Sequence, residues 1–223
     1  MKKKWLAVSF FLVFTLLAMP VFATEIFSDG FESGDFSQWD SVGGSAEVQS
    51  SVVYQGSYAA RFYADYATAY KTISETEAYM RYYLRWSSNP ASGETFQFGG
   101  VFISGNPASC AMLKNDGGTI KWGLQYRGND YAQHEEYAAT PNPTTDTWYC
   151  VEVYFKSNTA GGAKLWVDGN EVLTISGTTI GATADRAYAC SYYTSGSSTP
   201  NIYVDCVVVA DTYIGSISGA QEK

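Results

Sequence analysis

No segment of the chain repeats its apolar residues at the spacing of an amphipathic helix, so helical and mixed architectures are set aside for strands. None of the four cysteines forms a Cys-x-x-Cys pair, which leaves a zinc site without sequence support. Basic residues are in the minority, 14 Lys and Arg against 22 Asp and Glu, for a formal charge of −8. That balance argues against a nucleic-acid partner, whose phosphates need a net basic surface, although it permits a local basic patch. Histidine is scarce too, with His134 the one example.

Long apolar runs are also missing, apart from one at the start. Lys2, Lys3 and Lys4 precede an apolar stretch from Trp5 to Leu17, and Val21-Phe22-Ala23 makes a cleavage site. This is the pattern of a secretory signal over residues 1–23, with the mature chain starting at Thr24. No later segment is long and apolar enough for a membrane span. Removal of the leader leaves 200 residues, enough for one sizeable core, and takes away three basic residues and no acid, for a mature charge of −11. The expected organisation is one domain over residues 24–215 and a small, polar, flexible tail over 216–223, in a protein that is secreted, extracellular or periplasmic.

What the mature chain has is β-branched and aromatic residues in short runs, divided by Gly, Ser, Asn and Pro. Strands are predicted over Glu25 to Phe27, Ala46 to Val48, Tyr58 to Tyr63, Thr68 to Thr72, Ala78 to Trp86, Thr95 to Ile103 and Ser109 to Lys114. Further strands follow over Ile120 to Tyr126, Trp148 to Lys156, Lys164 to Val167, Glu171 to Ile175, Tyr188 to Tyr193 and Asn201 to Val209. Such a set points to an all-β antiparallel sandwich. Asn115-Asp116-Gly117-Gly118 and Asp168-Gly169-Asn170 supply the positive φ of tight hairpins. The stretch Asn129 to Thr147 has no strand periodicity and reads as a functional or capping loop carrying His134.

Strand side chains alternate in direction, so each run also predicts its faces. Met80, Tyr82, Leu84 and Trp86 share one side, and Tyr79, Arg81, Tyr83 and Arg85 the other. Phe96, Phe98 and Phe102 are expected inside with Thr95 and Gln97 outside, and Ile120, Trp122, Leu124 and Tyr126 inside with Lys121, Gln125 and Arg127 outside. Together with Glu152, Tyr154 and Trp166 these outward residues make one multi-strand platform suited to sugars, with polar contacts beside stacking rings. The alternative is an ordinary solvated sheet face.

An oxidising destination favours disulfides among Cys110, Cys150, Cys190 and Cys206. Of three connectivities the preferred one joins Cys190 to Cys206 across a short loop and leaves Cys110 for Cys150; free buried thiols are the alternative.

Phe27-Ser28-Asp29-Gly30-Phe31-Glu32-Ser33-Gly34-Asp35-Phe36-Ser37-Gln38-Trp39 resembles the opening of secreted concanavalin A-like lectin/glucanase jelly rolls. Ile202-Tyr203-Val204-Asp205-Cys206-Val207-Val208-Val209 is similar to their closing strand. Gly56-Ser57-Tyr58-Ala59-Ala60-Arg61-Phe62, Trp148-Tyr149-Cys150-Val151-Glu152 and Leu165-Trp166-Val167-Asp168-Gly169 lie between in the expected order. The resemblance implies a jelly roll of two curved sheets and a structural Ca²⁺ held by Asp29 or Glu32, Gly56 and Asp205, oxygen ligands that suit a hard cation. The alternative leaves these acids in turns and surface pairs.

Two absences bear on catalysis. Glucanases of this fold carry Glu-x-Asp-x-x-Glu on one strand; no such run exists here, and Glu75, Glu77, Glu135 and Glu136 read as solvated acids. Lyases of the fold neutralise a uronate with Arg and Gln or Asn and move protons with His or Tyr. Their Gln-x-His strand is absent, since Gln97 is followed two places on by Gly99. The resemblance therefore implies a carbohydrate-binding domain that holds a polysaccharide or cell-surface glycan on its concave sheet, with contacts from Arg81, Tyr83, Arg85, Gln97, Lys121, Gln125, Arg127 and Trp166. A divergent lyase or hydrolase acting on an acidic polysaccharide, using His134 or Tyr154, is the alternative, and a structural adhesion protein the third reading.

Overall fold

The computed structural model describes residues 24–63, 66–139, 142–158, 160–177, 179–193 and 199–217, and of residues 190–193 the backbone only. The expected leader and residues 218–223 of the expected tail lie outside the described residues. In chain order the strands are β1 (Glu25–Asp29), β2 (Ser41–Gly43), β3 (Ala46–Gln49), β4 (Ala59–Phe62), β5 (Ala67–Glu75), β6 (Glu77–Trp86), β7 (Thr95–Ile103) and β8 (Asn106–Asp116). They continue as β9 (Thr119–Arg127), β10 (Gln133–Tyr137), β11 (Tyr149–Lys156), β12 (Gly162–Val167), β13 (Asn170–Ser176), β14 (Ala184–Tyr193) and β15 (Ile202–Ala210).

These strands form two antiparallel sheets. An eight-stranded sheet runs β13-β12-β11-β6-β15-β4-β3, with β1 beside β15, and a seven-stranded sheet runs β10-β9-β8-β7-β14-β5-β2. The all-β sandwich anticipated from the strand pattern is therefore the architecture found. The consecutive strands β6 and β7 belong to different sheets, and so do β14 and β15.

Between the sheets, Met80, Tyr82, Leu84 and Trp86 of β6 pack in one buried cluster with Phe96 and Phe98 of β7 and Trp122 and Leu124 of β9. Trp86 meets Trp122 edge-on with centroids 5.7 Å apart, an arrangement that the positive edge and negative face of aromatic rings favour. Burial of each such ring stabilises by about 2–3 kcal/mol, which sets the facing of every strand that carries one.

Facing departs from simple alternation in β7. Phe96 and Phe98 point inward, but so do Val101 and Ile103, and Phe102 lies on the outer face with Cys110. The cause is an irregularity between Gln97 and Gly100 in the pairing with β8. A Cβ on Gly100 would collide with Ser109 O and lie 2.7 Å from Cys110 Cα, so the backbones meet at a distance only glycine permits. The expected interior place for Phe102 is thus corrected: one inserted residue turns its ring outward.

The segment read as a loop over Asn129 to Thr147 contains β10, paired with β9 from Gln133↔Arg127 to Tyr137↔Gly123. Its charged sequence hides an edge strand, a place where charge is tolerated.

Candidate functional site

On the outer face of the seven-stranded sheet is a cleft of about 520 Å³, lined by Tyr66, Thr68, Gln97, Phe102, Gly105, Asn106, Pro107, Gln125, Gln133 and Tyr188. Gln97 and Gln125 are only 4% and 7% exposed, and Gln97 Nε2 donates to Gln125 Oε1. Gln125 Nε2 in turn donates to Glu135 Oε1 at 3.1 Å, and the Tyr137 hydroxyl donates to Glu135 Oε2 at 2.5 Å. Burial first, and the bond to Glu135 second, push the Tyr137 hydroxyl well above its ordinary pKa, which keeps it a donor. Two further amides are held at the rim: Asn106 Nδ2 donates to Ser104 O at 3.1 Å and Gln133 Nε2 to Pro107 O at 3.2 Å. Phe102 and Tyr188 supply a wall of two rings with centroids 4.5 Å apart, and the Tyr188 hydroxyl accepts from Arg186 Nη1 at 3.1 Å.

The single platform expected from the sequence is divided. Gln97, Lys121, Gln125 and Arg127 belong to the seven-stranded sheet, whereas Arg81, Tyr83, Arg85 and Trp166 belong to the other. With a core between them, no one ligand face can include both sets. Lys121 pairs with Asp116 at 2.6 Å, and Arg127 Nε donates to Tyr131 O at 3.3 Å. His134 projects from β10 on the side opposite Gln133 and Glu135, stacks on Tyr126 at 5.3 Å and meets Asp130 at 3.0 Å. It therefore does not overhang Arg81 or Arg85.

The outer face of the eight-stranded sheet is covered by the chain itself. Glu152, 1% exposed, accepts from the backbone N–H groups of Ile214 and Gly215, each at 2.8 Å. Arg81 Nη1 donates to Gly215 O at 3.2 Å, and the Tyr83 hydroxyl accepts from Ile217 N at 2.8 Å. Tyr213 packs on Trp166 with centroids 5.2 Å apart, and Tyr54 stacks on Tyr83 at 3.7 Å. Arg81 and Tyr83 are consequently 5% and 3% exposed, so the outward face they share is a strap-binding surface and not an open one. Beneath the strap end lies a smaller cavity of about 300 Å³ lined by Tyr54, Tyr83, Trp148, Cys150, Asp168, Ser216 and Ile217. The expected tail is thus held through Ile217. Arg85 pairs with Asp146 at 3.0 Å, and the Tyr154 hydroxyl donates to Glu77 at 2.9 Å.

The acids expected to hold calcium separate into two kinds. Asp29 stays within its own turn, accepting from Phe31 N and Trp39 Nε1 at 2.7 Å each. Glu32 and Asp205 instead grip one loop from two sides. Glu32 Oε1 accepts from Ser57 N at 2.9 Å and Tyr58 N at 3.1 Å, and Asp205 Oδ2 from Tyr54 N and Gln55 N at 3.0 Å each. Gly56, at φ +81°, lies so close that a Cβ there would collide with Glu32 Oε1 and sit 2.6 Å from its Cδ. Asp205 is wholly buried, and burial pushes its pKa up to about 6 despite those N–H bonds. Among the described residues no cluster of three His, Cys, Asp or Glu side chains converges on one point.

Neither expected disulfide forms. Cys110 is buried on the outer face of the seven-stranded sheet and Cys150 on that of the eight-stranded one, so the sandwich core separates them. Cys110, Cys150 and Cys206 carry thiols, that of Cys206 beside Gln55, and the side chain of Cys190 lies outside the described residues. Burial pushes Cys150 up to about 11 and Cys206 to about 12, which keeps both protonated and unreactive at neutral pH.

Sequence reasoning missed Thr68, Asn106, Gln133, Glu135 and Tyr188 as neighbours of Gln97 and Gln125. Their common location depends on strand order, and the one local signal was the polar alternation of Gln133, Glu135 and Tyr137.

No family model and no curated protein matches the sequence. Solved structures do match in shape. The endo-β-1,4-glucuronan lyase from the fungus Trichoderma reesei superposes with a TM-score of 0.62 at 17% identity, over 85% of this chain and 96% of that one. A double mutant of the alginate lyase Aly36B, in complex with an alginate tetrasaccharide, gives 0.53 at 19%, over 87% and 98%. The binding domain of Paraclostridial Mosquitocidal Protein 1 gives 0.62 at 11%, over 86% and 49%. With these proteins the chain shares its fold, an antiparallel β-sandwich of two sheets.

Proposed function

We propose that the protein is a secreted carbohydrate-binding domain that meets a polysaccharide on the outer face of its seven-stranded sheet. The observation that carries this reading is the cleft in which the buried pair Gln97 and Gln125 adjoins the Phe102 and Tyr188 rings. Amides beside aromatic faces are what a sugar needs, hydrogen bonds at its hydroxyl edge and apolar contact on its flat side. Lys121 and Arg127 stand on the same sheet as peripheral contacts. Two structural neighbours whose names refer to glucuronan and alginate lend support to a saccharide as the ligand.

A lyase would need a cation and a proton-transfer group at one carboxylate. Arg81 and Arg85 lie on the opposite sheet from His134, and Tyr154 is turned to Glu77, which weighs against that assembly. Incubation with a panel of uronate-containing and neutral polysaccharides, reading both bound fraction and ultraviolet absorbance of unsaturated product, tests the choice. Binding without product, lost in Gln125→Ala, is expected. Product formation that disappears in His134→Ala would overturn the binding-domain reading, and no binding to any glycan would favour a purely structural role.

We also infer a structural Ca²⁺ at the loop that Glu32 and Asp205 grip. Those two residues fit, with the backbone at Gly56: Asp205 is a buried carboxylate with no cationic partner among the described residues, and oxygen donors suit the ion. Asp29 is turned away from this loop, to Phe31 N and Trp39 Nε1, and is left out of the proposed site. Bound calcium would supply positive charge and tie the closing strand to the loop after β3.

A further inference from the structure

The amides of the cleft are turned in a common sense. Gln125 Nε2 faces Glu135, a carboxylate that can only accept; its Oε1 is therefore left to face Gln97, whose Nε2 must supply the hydrogen. Asn106 Nδ2 faces the Ser104 carbonyl and Gln133 Nε2 the Pro107 carbonyl, again acceptors that cannot donate. Each amide nitrogen is thus tethered to the protein. Among the described residues nothing donates to Gln97 Oε1, Asn106 Oδ1 or Gln133 Oε1, on three residues that line the cleft.

Among the described residues the cleft lining carries no ionised side chain. Nearby cations are engaged: Arg186 donates to Tyr188 and lies 4.7 Å over the Tyr70 ring, Arg127 Nε holds Tyr131 O, and Lys121 pairs with Asp116. An acid, Glu135, is one bond from the lining. A sugar hydroxyl both donates and accepts, so it can use the open carbonyl oxygens and the one N–H that each amide retains. A carboxylate only accepts, and would face those oxygens and Glu135, while the cation at the rim, Arg186, is turned to the Tyr188 hydroxyl and the Tyr70 ring.

From this geometry we propose that the cleft selects uncharged hexosyl units over uronates, with Glu135 as the positioning residue that fixes the sense of the Gln125–Gln97 relay. The proposal rests on the reading of the cleft as a glycan site. It separates this chain from the substrates named for its glucuronan and alginate lyase neighbours.

Matched polymers test it. Alginate, polygalacturonate and β-1,4-glucuronan oligosaccharides are each compared with the same polymer after carboxyl reduction, so that only the C6 group differs. The native protein is expected to bind at least one reduced member about tenfold or more tighter than its uronate parent, at low salt and at about 1 M salt, where charges are screened beyond about 3 Å. Glu135→Gln, at an exposed position, lets the relay turn over and should cut that preference at least threefold at high salt with an unchanged melting temperature. A uronate parent bound more tightly, with Gln97→Ala still abolishing binding, would overturn the selectivity while leaving the cleft in place. Preference unchanged in Glu135→Gln would overturn the positioning role, and no binding by any member would remove the cleft reading itself.

Discussion

Gln97 and Gln125 are bonded side chain to side chain across the intervening strand β8, although 28 residues separate them in sequence. That bond joins β7 to β9 on the outer face and forms the floor of the cleft. Truncating either residue removes a ligand contact and leaves its partner amide buried and half satisfied, at a cost to stability of about 1–3 kcal/mol. Glycan affinity should fall about tenfold or more in Gln97→Ala and Gln125→Ala, measured by affinity electrophoresis. Arg81→Ala should leave affinity within about twofold of native while lowering stability by about 1.5–3 kcal/mol, because its hydrogen bond serves the strap and not the cleft.

Gly100→Ala should be among the most damaging single-methyl changes. The added carbon would collide with Ser109 O, a backbone atom that cannot retreat without parting β7 from β8. A loss of about 3 kcal/mol is expected in urea unfolding, with glycan affinity reduced because Phe102 and Gln97 depend on the local register.

A chain ending at Thr212 should be soluble but less stable. Glu152 would lose two N–H partners and Arg81 its carbonyl, while Tyr83 and Trp166 would lose the strap that covers them. The expected decrease is about 2–4 kcal/mol, from hydrogen bonds to charged groups of about 1.5–3 kcal/mol plus exposed aromatic surface. Increased binding of an apolar dye should accompany it, with the cleft's glycan affinity retained. An unchanged unfolding midpoint would mean that the strap is incidental.

The pH dependence follows from Asp205. Its pKa is about 6 when folded against an ordinary 3.8, so between these values the folded chain keeps a proton that the unfolded chain has lost. Stability from this group is full below the unfolded value and declines as pH rises through the folded one, by about 3 kcal/mol in all. In chelator, melting temperature should fall between about pH 4 and pH 7, with Glu152 and Asp29, also raised by burial, adding a smaller slope of the same sign. Asp205→Asn should flatten most of it. Added Ca²⁺ should do so too in the native protein, and identical melting with calcium and chelator at every pH would remove the calcium assignment.

Much of the fold was legible because strand period is a local property. Trp86, Trp122 and Phe98 announce an interior by their spacing, and the inward faces of β6 and β9 are as read. The site was legible only in fragments. Gln97 and Gln125 were recognisable as outward polar residues, but alternation says nothing about which sheet a strand joins. Arg81 and Gln97 looked like neighbours in one row and are on opposite sides of a core. Phe102 was misplaced by one irregularity at Gly100, and β10 was hidden by its charges. The covering of Arg81 by Gly215 joins residues 134 apart, beyond any local pattern.

The central claim is that glycan is met on the sheet of Gln97 and Gln125 and not on that of Arg81 and Trp166. Side-chain N–H resonances of the ¹⁵N-labelled protein, followed while a binding oligosaccharide is titrated, test it most directly. The Gln97, Gln125 and Gln133 amide signals should shift in a saturating manner while Trp166 Nε1–H and Arg81 Nε–H stay in place. Shifts at Trp166 and Arg81 with the three glutamines unmoved would contradict the account.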